Sequence, residues 1–352
     1  MNIVLLGGSN AGVKDGWAAQ FASIAARHAV ENRFLGAVGS LYGLMALLKM
    51  ERESAALPDL IVFEYSLNDI LLREAGVLQN DLVEDALDAV LNFCARHGVG
   101  LLFLCLEPRP LESGKPRSGA VERIQKLYAA TARRRSVASL WLRDMIGEDL
   151  TPAHFQDENH LTTEIAGRVA RIVAGRIEQG VAALPPVVEE SGRFAYVDAT
   201  QALVAGPCAL RALTSRVFDG TFLEIARGGT SSWSGEGSLA ALMLQSDDRS
   251  GVYSIRAGAR VRRKTARSHM QEIVRNLMLL HYVAGAFPAR GDVEIAMPAD
   301  ESALMSLPPD KGLLEASSIA PFDAQTLLIN GVVFWRKAPL LARLRRLVAR
   351  LL

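Results

Sequence analysis

Two rhythms of apolar and polar positions run through the first half of the chain. Continuous apolar runs at Ile3 to Leu6, Leu60 to Phe63 and Val99 to Leu106 read as strands buried on both faces. Val30 to Leu35 and Val137 to Leu142 are shorter runs of the same kind. Between them, apolar residues fall at helical spacing. Trp17 to His28 carries Phe21, Ile24 and Ala25, and the next helix carries Leu41, Leu44, Met45, Leu47 and Leu48 before Pro58-Asp59 breaks it. Asp81 to His97 is stopped by Gly98. Ala120 to Arg134 is a further helix, and Thr162 to Val181 closes the series with Ile165, Val169, Ile172, Val173 and Ile177. Buried strands alternating with helices predict a parallel sheet covered on both faces, with ligands at the carboxyl ends of its strands. Three loops fall at that edge: Gly7 to Asn10, Gly36 to Ser40 and Ser66 to Asp69. Arg109 to Gly119, rich in proline, glycine and charge, reads as a mobile rim.

The pattern changes at Leu184-Pro-Pro-Val. Beyond it, Phe194 to Val197, Thr221 to Ile225, Leu239 to Leu244, Gly251 to Ile255 and Leu327 to Phe334 are short strand-like runs between turns. They predict a β-rich accessory domain over 185–337, sandwich-like, in which only Ser268 to Val283 has a helical pattern. Gly228 to Gly237 reads as a flexible loop around Trp233. That indole is either an exposed platform for a sugar ring or a local packing residue. Arg260, Arg262, Arg263, Lys264 and Arg267 read as a solvated edge, or as a surface for an anionic polysaccharide or membrane. Residues 338–352 form a basic amphipathic helix, with Leu340, Leu341, Leu344, Leu347, Val348 and Leu351 on one face. Such a helix either packs on a protein surface or makes peripheral contact with an anionic membrane.

Composition narrows the class. The chain has 352 residues, half of them hydrophobic, which is enough for two domains with real cores. A net charge of +1 gives no reason to expect nucleic acid as a partner. Cys94, Cys105 and Cys208 are widely spaced and odd in number, which points to buried thiols in a reducing compartment. The first strand begins at once without a basic leader, and no run reaches the roughly 20 apolar residues of a membrane span. A cytoplasmic location is the expectation, peripheral to the membrane's inner face if the last helix lies on it.

The candidate chemistry sits on the sheet edge. Gly7-Gly8-Ser9-Asn10 after the first strand is either an ordinary turn or a device that exposes the Ser9 hydroxyl. Asp157 and His160 stand three residues apart before the closing helix. In a turn, that spacing lets the carboxylate orient the imidazole, which can then deprotonate Ser9. Alternatively, Asp157 or Asn159 caps the helix. Asn68 caps a turn or donates its amide to an oxyanion, and Gly36 offers a backbone N–H without a side chain in the way. His154 is an alternative base. No ligand cluster points to a metal, and none of this chemistry needs a cofactor.

Serine after the first strand, glycine after the second, asparagine after the third and Asp-x-x-His before the last helix resemble the SGNH (GDSL-type) hydrolase superfamily over residues 1–184. The resemblance implies a flavodoxin-like three-layer α/β/α fold, here with a second, β-rich C-terminal domain. It implies a serine-dependent esterase or O-acyl (acetyl) transferase that works through an acyl-enzyme. The implied nucleophile is Ser9, the base His160 and its orienter Asp157. The implied oxyanion hole is the Ser9 N–H, Gly36 and Asn68. Asn10, Gly39 and Trp233 are expected to touch substrate, with Gly39 an alternative to Gly36 for the second block. The expected substrate is an acylated carbohydrate such as a bacterial surface polysaccharide. The sequence departs from the family pattern in three places. Gly8 stands where aspartate is usual, Ser66 where the asparagine block usually opens with glycine, and Glu158-Asn159 where a glycine-containing spacer is common. The departures at Gly8 and Ser66 support an alternative, a non-catalytic carbohydrate-binding or polysaccharide-assembly protein on the same scaffold. The oligomeric state is left open.

Overall fold

The computed structural model describes residues 1–53, 56–147, 149–182, 184, 192–214, 218–272, 277–289, 292–312 and 320–351. They fall into two compact units: Met1–Glu74 with Asn80–Gly192 and Ala338–Leu352, and Ala75–Gln79 with Arg193–Lys337.

The first unit is built on five parallel strands, β1 (Asn2–Gly7), β2 (Ala29–Asn32), β3 (Leu60–Glu64), β4 (Gly100–Cys105) and β5 (Ala138–Trp141), in the order β2-β1-β3-β4-β5. Its helices are α1 (Ser9–Gly12), α2 (Trp17–Ile24), α3 (Ser40–Arg52), α4 (Ser66–Glu74), α5 (Asn80–His97), α6 (Gly119–Arg135), α7 (Leu142–Ile146) and α8 (Thr163–Glu178). Alternate strand residues point to opposite faces. Ile3, Leu5, Val62, Leu102 and Leu104 meet Trp17, Phe21, Val169 and Val173 of α2 and α8 in one apolar layer. On the other side α3 packs on α5, and α6 packs on both α4 and α5. This is the flavodoxin-like order, in which the chain reverses direction across the sheet between β1 and β3. Gly7 and Glu64 are level partners at the ends of those two strands. The segments that follow them therefore emerge side by side over the crevice.

Several sequence-derived elements shift. The α2 helix stops at Ile24, four residues before His28. Residues 66–69 are not only a turn but the first turn of α4. The 109–119 segment is irregular, yet it is tied down: Arg117 bridges Glu74 at 2.7 Å, Ser118 donates to Glu74, and the Arg109 N–H donates to the Glu158 carbonyl.

The second unit contains β6 (Arg193–Asp198), β7 (Leu203–Ala205), β8 (Cys208–Thr214), β9 (Asp219–Ala226), β10 (Thr230–Trp233), β11 (Gly237–Ser246), β12 (Val252–Ala257), β13 (Arg260–Thr265), β14 (Leu277–Ala289), β15 (Val293–Ala296), the short helix α9 (Glu301–Ser306) and β16 (Thr326–Arg336). All its named strand pairs are antiparallel. They form two sheets, β13-β12-β15-β10-β7 and β14-β11-β16-β9-β8, with β6 added on β16. The Tyr253 hydroxyl of β12 meets His281 Nδ1 of β14 at 3.1 Å, joining the two sheets.

Three expectations are corrected here. Residues from Leu277 onward are strand, not helix, because Leu277 to Tyr282 pair with Ala241 to Ser246 and bury both faces of a nearly continuous apolar run. The rest of the supposed helix is a turn at His269–Glu272 and residues 273–276, which lie outside those described. Trp233 is not on a flexible loop: it ends β10 between β15 and β7, is 0 % exposed, and donates its indole N–H to Ser231 Oγ at 2.9 Å. It cannot stack on a sugar from there. The basic run is also committed. Lys264 and Arg262 of β13 both bind Asp310, and Lys264 and Asp310 are buried. A buried ammonium without that carboxylate would be strongly unfavourable.

Candidate active site

Ser9 opens α1 directly after β1. Gly8 is the residue before that turn, and the Ala11 N–H closes it on the Gly8 carbonyl. The serine hydroxyl therefore stands at the carboxyl edge of the sheet, beside the crevice between β1 and β3. After β2 the chain keeps running along β1, as the Arg33 and Leu35 N–H groups donate to the Leu5 and Gly7 carbonyls. That path delivers Gly36 to the serine. A Cβ on Gly36 would lie 3.5 Å from Ser9 Cβ and 4.0 Å from Ser9 N. Ala37 follows in the left-handed region at φ 58, a strained conformation for alanine that turns the chain immediately after Gly36. Gly39, in contrast, is the buried residue before α3, and its carbonyl accepts the Tyr42 N–H.

The last loop is a tight hairpin. Phe155 and Leu161 form an isolated bridge, and Gln156 N–H donates to the His160 carbonyl. One Asp157 oxygen accepts the backbone N–H groups of Asn159 and His160, both at 2.8 Å. The other meets His160 Nδ1 at 2.7 Å, and His160 Nε2 meets Ser9 Oγ at 2.8 Å. With the ring N–H at Nδ1 turned to the carboxylate, Nε2 is left to accept the serine proton. Burial alone would push the Asp157 carboxyl up. The Asn159 N–H, the His160 ring and the His160 N–H outweigh it and hold it below the usual carboxylate range. His154 is turned elsewhere, accepting the Thr151 N–H on Nδ1 as part of a capping pair, so it is not the alternative base.

Asn68 is in the first turn of α4 and is 3 % exposed. Its amide lies against Gly8, and its Oδ1 has no hydrogen-bond partner among the described residues. The Gly36 backbone thus lies beside Ser9, and the Asn68 amide lies beside the adjoining Gly8. This arrangement can deprotonate a hydroxyl, attack an acyl carbon and stabilise a developing oxyanion.

Asn10, expected to touch substrate, is placed as a link between the Ser9 turn and the His160 loop. It is buried, donates from Nδ2 to the Asn159 carbonyl at 2.8 Å and accepts the Leu161 N–H on Oδ1 at 3.2 Å. Both ends of its amide are used to strap the His160 loop to the residue after Ser9. Ser66 is explained too: its buried hydroxyl donates to the Leu106 carbonyl at 2.7 Å, linking the starts of two edge loops. Glu158 does not touch Ser9 but pairs with Arg109 at 3.2 Å and Arg117 at 3.6 Å.

Two carboxyls beneath the site escape sequence reasoning. Glu64, fully buried at the end of β3, accepts the Gly8 N–H on Oε2 at 3.2 Å, and burial pushes its carboxyl up to about 8. Asp69 accepts the Ser40 N–H at 2.9 Å and the Tyr128 hydroxyl at 2.8 Å, and burial pushes it up to about 6. The available signal was an acid closing a run buried on both faces. Among the described residues, no group of three or more His, Cys, Asp or Glu could hold a metal ion.

No protein-family model and no curated protein matches the chain. Solved structures do. A two-domain esterase (CEX) active on acetylated mannans aligns over 96 % of this chain and 92 % of its own, with a TM-score of 0.62 and 13 % identity. The same enzyme co-crystallised with mannopentaose aligns over 96 % and 91 %, again with a TM-score of 0.62 and 13 % identity. TesA aligns over 51 % of this chain and 99 % of its own, at a TM-score of 0.41 and 20 % identity. The two-domain likeness establishes a shared fold. The parallel sheet with its flanking helices fits the SGNH hydrolase fold, and antiparallel sheets follow it.

Proposed function

We propose that this chain is a serine-dependent ester hydrolase or O-acyltransferase acting on an acylated carbohydrate. The observation that carries the reading is the continuous Asp157–His160–Ser9 contact, at 2.7 Å and 2.8 Å, on the sheet edge where Gly36 and Asn68 also arrive. Ser9 Oγ attacks the ester carbonyl carbon while its proton passes to His160 Nε2. The carbonyl oxygen takes up the electron pair and is held by N–H donors of Ser9, Gly36 and Asn68. The ester C–O bond then breaks, and the leaving alcohol takes the proton from His160. Water, or the hydroxyl of a second sugar, gives a proton to His160 and attacks the acyl-enzyme, which frees the acid or the new ester and restores Ser9. The carboxylate of Asp157 stays ionised throughout and stabilises the imidazolium.

The substrate class draws on the two-domain neighbour, which is described as active on acetylated mannans. Gly8 and Ser66, which motivated a non-catalytic reading, each have a packing reason here, and the relay beside them is complete. The test has two stages. A fluorophosphonate probe followed by mass spectrometry is expected to label Ser9 in the wild type and not in His160→Ala. Acetylated mannan and a bacterial acetylated polysaccharide are then offered with and without an acceptor sugar. Acetate release marks hydrolysis, and an acetylated acceptor marks transfer. Absence of labelling, together with background rates on every ester, overturns the proposal.

A further inference from the structure

Helix α10 (Leu340–Leu351) packs with one charged side chain, Arg346, turned inward. Arg346 is 4 % exposed and lies between two carboxylates of α5, bonded to Asp85 and at 2.8 Å from Asp88. Arg343 reaches Asp81 of α5 at 2.9 Å, and the Ala338 N–H donates to Asp85 at 3.0 Å. The acidic face of α5 thus fixes the orientation of α10 by ion pairs. The consequence is an inverted helix: Leu340, Leu341, Leu344, Leu347 and Val348 face solvent, each 48–72 % exposed. Their spacing of i, i+1, i+4, i+7 and i+8 makes one continuous stripe. At 100° per residue, Arg343 and Arg345 border it on its two sides. Arg345 is exposed, and Arg343 keeps 41 % of its side chain in solvent while paired.

We propose that this outward stripe of α10 seats the protein on an anionic lipid bilayer surface. A helix of 12 residues is about 18 Å long, too short to cross a bilayer, so it lies in the interface plane. Among the described residues, no helix is long and apolar enough to cross a membrane. In the interfacial position the leucines enter the acyl boundary, and the bordering arginines lie level with lipid phosphates, where a guanidinium on an apolar stem is well placed. Charge complementarity favours lipid over a second copy of the chain. Arg345 and the exposed part of Arg343 border the stripe and the helix has no acidic residue, so two stripes packed together would bring these like charges together. The stripe presents on the order of 500 Å² of surface, short of the roughly 800 Å² per partner of a stable protein interface.

The experiment is flotation of the full chain with vesicles of phosphatidylcholine alone, and with phosphatidylglycerol as about a quarter of the lipid. Wild type is expected to float with the anionic vesicles, far less with the neutral ones, and to be partly released by salt. The double change Leu344→Glu with Leu347→Glu is expected to cut binding at least about tenfold. Arg345→Glu is expected to weaken it while leaving the stripe intact. Each altered side chain is exposed, so the circular dichroism spectrum and the rate on a soluble ester are expected to match wild type. Failure of wild type to float with anionic vesicles overturns the proposal. Flotation unaffected by the double change also overturns it. So does a wild-type dimer in sedimentation that the double change dissociates, which would assign the stripe to a second copy.

Discussion

The Asn68 amide occupies the space that a side chain at Gly8 would need. A Cβ built on Gly8 would run into Asn68 Oδ1 and come within 2.7 Å of its Cγ. The two residues are 60 positions apart but lie just beyond neighbouring strands, β1 and β3, whose final residues pair. Glycine at this position is therefore a packing requirement of the amide beside Ser9. Gly8→Asp, which installs the residue more usual in SGNH hydrolases, is expected to displace Asn68 and lower kcat/KM. Gly8→Ala is expected to cost about 1–3 kcal/mol of stability through overpacking. Urea denaturation and ester kinetics on both variants check this.

Ser9→Ala and His160→Ala are each expected to reduce kcat/KM by about 10⁴–10⁶, and the double variant no further, because the two groups act as one unit. Asp157→Asn keeps the hairpin's shape but loses the charge that fixes the ring, and a fall of about 10²–10⁴ is expected. Steady-state kinetics on p-nitrophenyl acetate give all four numbers.

Asn10 joins the nucleophile turn to the base loop by two hydrogen bonds to backbone. Asn10→Ala is expected to loosen the Ser9–His160 contact and lower kcat by about 10- to 100-fold, with KM nearly unchanged, since both ends of its amide are taken up by the base loop. A rise in KM as large as the fall in kcat would instead mark Asn10 as a substrate contact.

The buried carboxyls predict a pH dependence of stability. Glu64 stays protonated in the folded chain up to about pH 8, and Asp69 up to about pH 6. In the unfolded chain both ionise near pH 4. Between those limits the folded state binds more protons. Their contribution is thus fully present below about pH 4 and is lost as pH rises through 6 and then 8, at about 1.4 kcal/mol per unit of displacement. Asp157 has the opposite sign, but its window lies below the usual carboxylate range and does not compensate. Melting temperature is expected to fall from pH 5 to pH 8, and Glu64→Gln is expected to flatten that slope. Calorimetry at unit pH steps measures both.

Trp233→Ala is expected to destabilise the second unit by about 3–5 kcal/mol, because it empties a fully buried site on an interior strand. Thermal unfolding of the wild type and the variant measures the loss.

What the sequence determined by itself was the run of elements in the first unit and the loops that reach its active edge. Those features are local. An apolar run such as Leu60 to Phe63, a helical stripe such as Ile165 to Ile177, or a glycine stop such as Gly98 at φ 65 is written in neighbouring residues. The Asp157–His160 pairing was readable for the same reason, as three residues of spacing suffice to bring a carboxylate onto a ring in a turn. Tertiary structure decided whatever depends on residues far apart. Leu277 to Tyr282 became strand because β11 lay ready to pair with it. Trp233 turned inward because β10 runs between two other strands. Asn10 became a strap because the His160 loop, 150 residues later, passes over it. Arg346 of α10 turned inward because α5 offered Asp85 and Asp88 to receive it, which left Leu340, Leu341, Leu344 and Leu347 outside. Periodicity shows that a segment has two faces; which face is covered depends on the chemistry of the surface that it meets.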